Sequence, residues 1–63
     1  MTKYIAKIHR TGAWIAFEAR TERSAKIQAS VWHTEYYPMI LYLDLESDTA
    51  AVARKEHGRW TDL

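Results

Sequence analysis

Cysteine is absent from the chain, so neither a disulfide framework nor a thiolate zinc site can hold it together. Proline occurs once, at Pro38, and glycine twice, at Gly12 and Gly58, which excludes a flexible low-complexity linker and a glycine-rich phosphate loop. No apolar run approaches the ~20 residues that a membrane span needs, and MTKYIAK leads into no apolar signal core. A cytoplasmic protein with no membrane partner is expected. Charge excess is missing as well: nine Lys and Arg stand against eight Asp and Glu, which disfavours a protein that coats DNA. No Ser-His-Asp or Walker-type arrangement is present, and 63 residues leave no room for a cleft between lobes. The expectation is a non-enzymatic protein without a cofactor.

What the chain does hold is aromatic: three Trp, four Tyr and one Phe. A single domain of this length needs something to supplement a small core, and each aromatic can bury about 150–250 Å². An aromatic-weighted core is therefore expected, with monomer and homodimer both open. The charges are unevenly spread. Lys3, Lys7, Arg10, Arg20, Arg23 and Lys26 outnumber Glu18 and Glu22 in the first part, whereas residues 33 to 48 carry only Glu35, Asp44, Glu46 and Asp48. A bipolar surface follows, on which local patches matter more than the sum.

Tyr4, Ala6 and Ile8 alternate with Lys3, Lys7 and His9, and residues 13 to 20 alternate again after the Thr11-Gly12 turn. This is the pattern of a hairpin with Ile15, Phe17 and Ala19 inward and Trp14 and Glu18 outward. Thr21 suits an N-cap and Glu22 the first turn of a helix from about residue 22 to 36, ended by Pro38, with Ala25, Ala29, Trp32 and Tyr36 along one stripe. Trp32 is expected in the core; Ile27 and Val31 fall well round the helix from that stripe. Met39, Leu41, Leu43 and Leu45 alternate with Ile40, Tyr42, Asp44 and Glu46, the strongest strand signal in the chain. Ser47-Asp48 reads as a turn, residues 49 to 55 as a strand with Val52 inward, and residues 56 to 58 as a tight turn into residues 59 to 62. The fold class is α+β: a single antiparallel five-stranded sheet in β-β-α-β-β-β order, with one helix packed across one face.

His9, His33 and His57 lie on three separate elements without the spacing of a metal set, so exposed polar histidines are expected. Asp44 and Glu46 are expected to be the solvated face of a strand rather than an acid and base. Trp60 is expected to pack, and Trp14, if exposed, marks a contact surface. The basic residues Lys26, Arg54, Lys55 and Arg59 are either a solvated edge or a binding patch.

SAKIQAS, residues 24 to 30, and VARKEHGRWTDL, residues 52 to 63, resemble a small phage-encoded family of anti-CRISPR proteins that act on type I-F systems. The likeness lies in the Ala-Lys helix start and in the closing hairpin Lys55, Glu56, His57, Gly58, Arg59, Trp60, Thr61 and Asp62, and covers about a third of the chain. Gly58 runs directly into Arg59 with no intervening lysine, and Val31 and Trp32 stand at positions that are polar in the family. The resemblance implies an inhibitor in the host bacterial cytoplasm that binds backbone subunits of the CRISPR surveillance complex and blocks target DNA hybridisation. It implies Lys26, Lys55, Arg59 and His33 as contacts; Arg54, from the basic run, and Trp14, as an outward aromatic, join them as candidate partner-binding residues, with a possible secondary contact to nucleic acid. Two alternatives stand next to it: a small nucleic-acid-binding regulator that uses the sheet or the last hairpin, and a homodimeric, antitoxin-like module joined through Trp14 or the Ile27/Val31 strip.

Overall fold

In a computed structural model, which describes residues 1–33 and 37–63, the chain runs β1 (Thr2–Ile8), β2 (Trp14–Ala19), α1 (Glu22–Trp32), β3 (Met39–Leu45), β4 (Asp48–Glu56) and β5 (Arg59–Asp62). The five strands form one antiparallel sheet in the order β2-β1-β3-β4-β5, and α1 lies across one face. Among the described residues, no helix is long and apolar enough to cross a membrane.

Strand register sorts the side chains. Tyr4 pairs with Phe17 and Leu43, Ala6 with Ile15 and Leu41, and Ile8 with Met39, so these residues share the face under the helix. Ala25 and Ala29, four residues apart on α1, close over them together with Ala53 of β4. The core differs from the expected aromatic one. Five of its nine buried apolar residues are alanines, joined by Tyr4, Ile8, Met39 and Leu41. Two alanines on the inner face of α1 let the helix approach the sheet closely, and of the described aromatic residues Tyr4 alone is buried, stacked on the half-buried Phe17.

The same geometry corrects the placement of Trp32. Around the helix it lies only about 20° from Ala25, but it is the last helical residue, beyond the part of α1 seated on the sheet, and is 36% exposed. The helix stops there because His33 is extended, at φ −139°, while its N–H still donates to the Ala29 carbonyl. It is thus shorter than the sequence suggests, and Glu35 and Tyr36 lie outside the described residues. At the other end Thr21 acts as N-cap, its Oγ1 accepting from the Ser24 N–H at 3.1 Å.

One turn also moves. β3 and β4 join at Glu46-Ser47, since Leu45 already pairs with Asp48. A register shift next to Leu41/Tyr42 makes Ala53 the buried residue of β4, with Val52 half-buried beside the core. In the last hairpin Glu56 pairs with Arg59 across His57 and Gly58, whose φ values are 53° and 77°. Positive φ at both loop positions is the type I′ turn, which matches the twist of the flanking strands. His57 carries the first of these angles with a side chain, and Gly58 carries the second without strain.

Gly58→Val places a β-branched side chain at that positive φ, at a cost of about 1–3 kcal/mol. In a domain of this size the thermal midpoint falls by at least about 4 °C. An unchanged melting curve would mean that the turn re-forms without a left-handed residue at 58.

Candidate functional site

Alternation along β4 and β5 divides the basic residues of the hairpin between two faces. Lys55 lies opposite Trp60 on the helix side, whereas Arg54 lies opposite Thr61, and Arg59 opposite Glu56, on the open side of the sheet. Lys26 reaches the hairpin from α1. Trp14, the first residue of β2, stands on the open face directly opposite Lys7 and is 64% exposed. The six residues singled out in the sequence therefore do not form one patch. Lys26 and Lys55 belong to the helix side, Arg54, Arg59 and Trp14 to the open face, and His33 to the C-terminal end of α1.

On the helix side, the contacts fasten β5 to α1. The Lys26 ammonium lies 2.7 Å from Asp62 Oδ1 and 3.2 Å from Glu22 Oε2, so its charge is engaged within the chain. The Trp60 indole N–H donates to Ser30 Oγ at 3.1 Å, and its ring is half-buried against the core. Beside these contacts runs a groove of about 430 Å³ lined by Arg23, Lys26, Ile27, Ser30, Val31 and Trp60. Its apolar rim is uncovered: Ile27 is 58% and Val31 75% exposed.

Side chains on the open face form rows across the strands. One row runs Trp14, Lys7, Ile40, Arg54, Thr61, and the next Ala16, Ile5, Tyr42, Ala51. Across these rows and onto the next, where Thr49 lies opposite Asp44, runs a shallow slot of about 310 Å³ lined by Ile5, Lys7, Trp14, Tyr42 and Thr49. Charge divides along the strands. At the slot and hairpin end are Lys7, Arg54 and Arg59 with one acid, Glu56, whose Oε2 lies 3.0 Å from the Arg54 guanidinium. At the far end Lys3 faces Glu18, and Asp44 shares their recess. The expected pairing of Asp44 with Glu46 on one strand face is not present, because β3 ends at Leu45 and Glu46 lies in the turn.

His33 departs from the exposed histidine expected, although His9 and His57 are exposed. Its ring is half-buried beside Trp32, at 6.0 Å, and stacks on Tyr37 at 6.3 Å, with the Arg10 guanidinium 4.7 Å over the Tyr37 ring. The residues just before β3 meet the β1–β2 loop, where the His9 N–H donates to the Pro38 carbonyl. His33 Nε2 has no hydrogen-bond partner among the described residues. The topology brings all three histidines to one end of the molecule, yet among the described residues no group of three His, Asp or Glu is placed to hold a metal ion.

Sequence reasoning missed Lys7, Ile5 and Tyr42 as companions of Trp14. The signal was present in the alternation that set Lys7 outward, but which strands lie side by side came only with the topology. The roles of Ser30 and Asp62 had no local signal, since each is defined by a partner more than 25 residues away, Trp60 and Lys26 respectively.

The Lys26 hydrogen bond and charge hold the Asp62 carboxyl below its usual range, while the hydrogen bond to Asp62 raises Lys26 above its ordinary 10.5 despite partial desolvation. A depressed carboxylate stabilises above its unfolded pKa and loses that contribution as pH falls through the folded value. A raised lysine stabilises below its unfolded pKa and loses the contribution as pH rises through the folded value. Asp62→Asn is therefore expected to lower the thermal midpoint by a constant amount between about pH 5 and 9, the difference from the parent closing below about pH 4 and above about pH 11. Paired melting curves across that range check it, and a difference that persists unchanged at low pH would mean that Asp62 acts other than as a carboxylate. No known protein family, characterised protein or solved structure matches the chain.

Proposed function

We propose that the chain is a non-catalytic inhibitor that binds backbone subunits of a type I-F RNA-guided surveillance complex and denies target DNA its hybridisation site. The resemblance of residues 24 to 30 and 52 to 63 to the anti-CRISPR family supports the choice of partner. The observation that carries the binding mode is the apolar groove between α1 and β5, with Ile27 and Val31 uncovered on its rim. Protein interfaces draw most of their affinity from a desolvated apolar centre inside a polar rim. Here Ile27, Val31 and the edge of Trp60 would form the centre, and Arg23 the rim. A channel that holds DNA is itself cationic, so arginines alone would be repelled by it. An apolar centre removes that difficulty and leaves Arg59 and Lys55, on the two faces of the hairpin, for anionic groups beside the channel. Large apolar side chains on a solvent-facing helix are consistent with a surface that is covered in use.

The test is inhibition of target DNA binding by a purified type I-F complex, together with retention of the complex on the immobilised chain. Ile27→Lys with Val31→Lys is expected to weaken both by at least about tenfold, or about 1.4 kcal/mol, with little change in melting temperature because both side chains are exposed. Arg59→Ala with Lys55→Ala is expected to weaken binding as well and to reduce its salt dependence. Full inhibition by the groove variant would overturn the docking mode, and failure of the parent chain to bind the complex would overturn the partner.

A further inference from the structure

The open face of the sheet is separate from the groove and has a different chemistry. Trp14 and Tyr42 stand at the slot with Ile5, and Lys7 sits directly opposite Trp14. Arg54 lies two strands beyond Lys7 in the same row, with Ile40 between them, or about 10 Å away at the usual strand spacing. Arg59 extends the cationic end of that face onto β5. Arg54 engages Glu56 through one terminal nitrogen and keeps other donors of its five for a second acceptor.

We infer that this face binds a single strand of nucleic acid, one base stacking in the slot at Trp14 and Tyr42 while Lys7 and Arg54 meet the flanking phosphates. Three observations select this occupant. The slot, about 310 Å³, is at the small end of ligand sites and suits one planar ring. Aromatic walls next to cations are the two components of single-strand recognition, in which bases stack and phosphates pair. A duplex keeps its base faces stacked inside, where a side chain on a flat sheet cannot reach them. Of the acidic groups of the same face, Glu18 sits at the opposite end and Asp44 borders the slot opposite Thr49, which gives the strand a path along the row from Trp14 and Lys7 to Arg54 rather than along the whole sheet. The recognition is of base faces and phosphates and not of the sugar, so DNA and RNA are bound alike. This inference does not depend on the surveillance complex, and its test uses the isolated chain.

Fluorescence anisotropy with labelled oligothymidylate and oligouridylate of about 12 nucleotides, within the usual site sizes, measures it directly. The expected result is saturable, salt-dependent binding of both, within about threefold of each other, and at least tenfold weaker binding of a duplex of the same length. Trp14→Ala is expected to weaken binding by about tenfold, the loss of one stacked base, and Trp14→Phe to restore most of it. Lys7→Ala is expected to lower the slope of log K against log salt by about 0.7, one phosphate contact, a reading that does not depend on the Trp14 variants folding. Binding unchanged by both Trp14→Ala and Lys7→Ala overturns the inference. So does a duplex bound as tightly as a single strand, a preference of more than tenfold between RNA and DNA, the absence of binding, or a Trp14-dependent dimer in sedimentation that buries the face against a second copy.

Discussion

The contact on which the rest of the structure depends is the seating of Ala25 and Ala29 on the sheet. Both are fully buried, over a floor that includes Ala6, Leu41 and Ala53. Side chains this small allow the helix backbone to come down onto the strands, and the well-packed layer that results excludes water without a large volume of core. Any enlargement at these positions would lift the helix, since a packed interior accommodates extra methylenes only by shifting its neighbours. The cost of the arrangement is a small core, in which Tyr4, Ile8, Met39 and Leu41 are the large side chains buried. Trp14, Ile27, Val31 and Trp32 are all exposed, and Trp60 is tucked halfway under α1 with its indole N–H satisfied by Ser30.

That single constraint shapes both surfaces for which a function is proposed. The helix presents an apolar strip and a groove along β5, and the sheet presents its uncovered face with an aromatic slot. Each rests on regular secondary structure rather than on loops, so its side chains are held at spacings set by strand register and helical pitch. The sheet edge beyond β5 is short, and Arg59 and Asp62 at its two ends place charges there, which discourages pairing with a strand of another chain. The Lys26–Asp62 ion pair holds this edge strand to the helix, compensating for the few apolar contacts that four residues can make.

Net charge near zero conceals an organised distribution. Across the open face, cations gather toward the hairpin while Glu18 stands at the other end and Asp44 borders the slot opposite Thr49, with Glu56 moderating the arginines on either side of it. A field arranged in this way orients a polyanion more than it concentrates one, in keeping with a binder of limited reach and not with a protein that coats nucleic acid.

Much of the architecture was legible in the chain itself. The alternation of residues 4 to 8, 14 to 19 and 39 to 45, the Thr21 cap and the glycine at 58 are local signals, and local backbone preference and burial of one face were enough to yield the element order and the outward position of Trp14. Where the sequence reading went astray, a distant partner decided the outcome. Trp32 lies on a plausible stripe but beyond the sheet's support, Val52 gave the inward position to Ala53 through a shift in the ladder, and the core proved to be alanine where abundant aromatics suggested rings. The split of Arg54 and Arg59 from Lys55 depends on the shift in the ladder beside Val52, and neither it nor the capture of Lys26 by Asp62 nor the slot shared by Trp14, Lys7 and Tyr42 had a local signal. Periodicity records which way a side chain points relative to its neighbours in the chain. Which other element it meets there is set by strand order and by the height of the helix above the sheet, and both come from packing the whole chain at once.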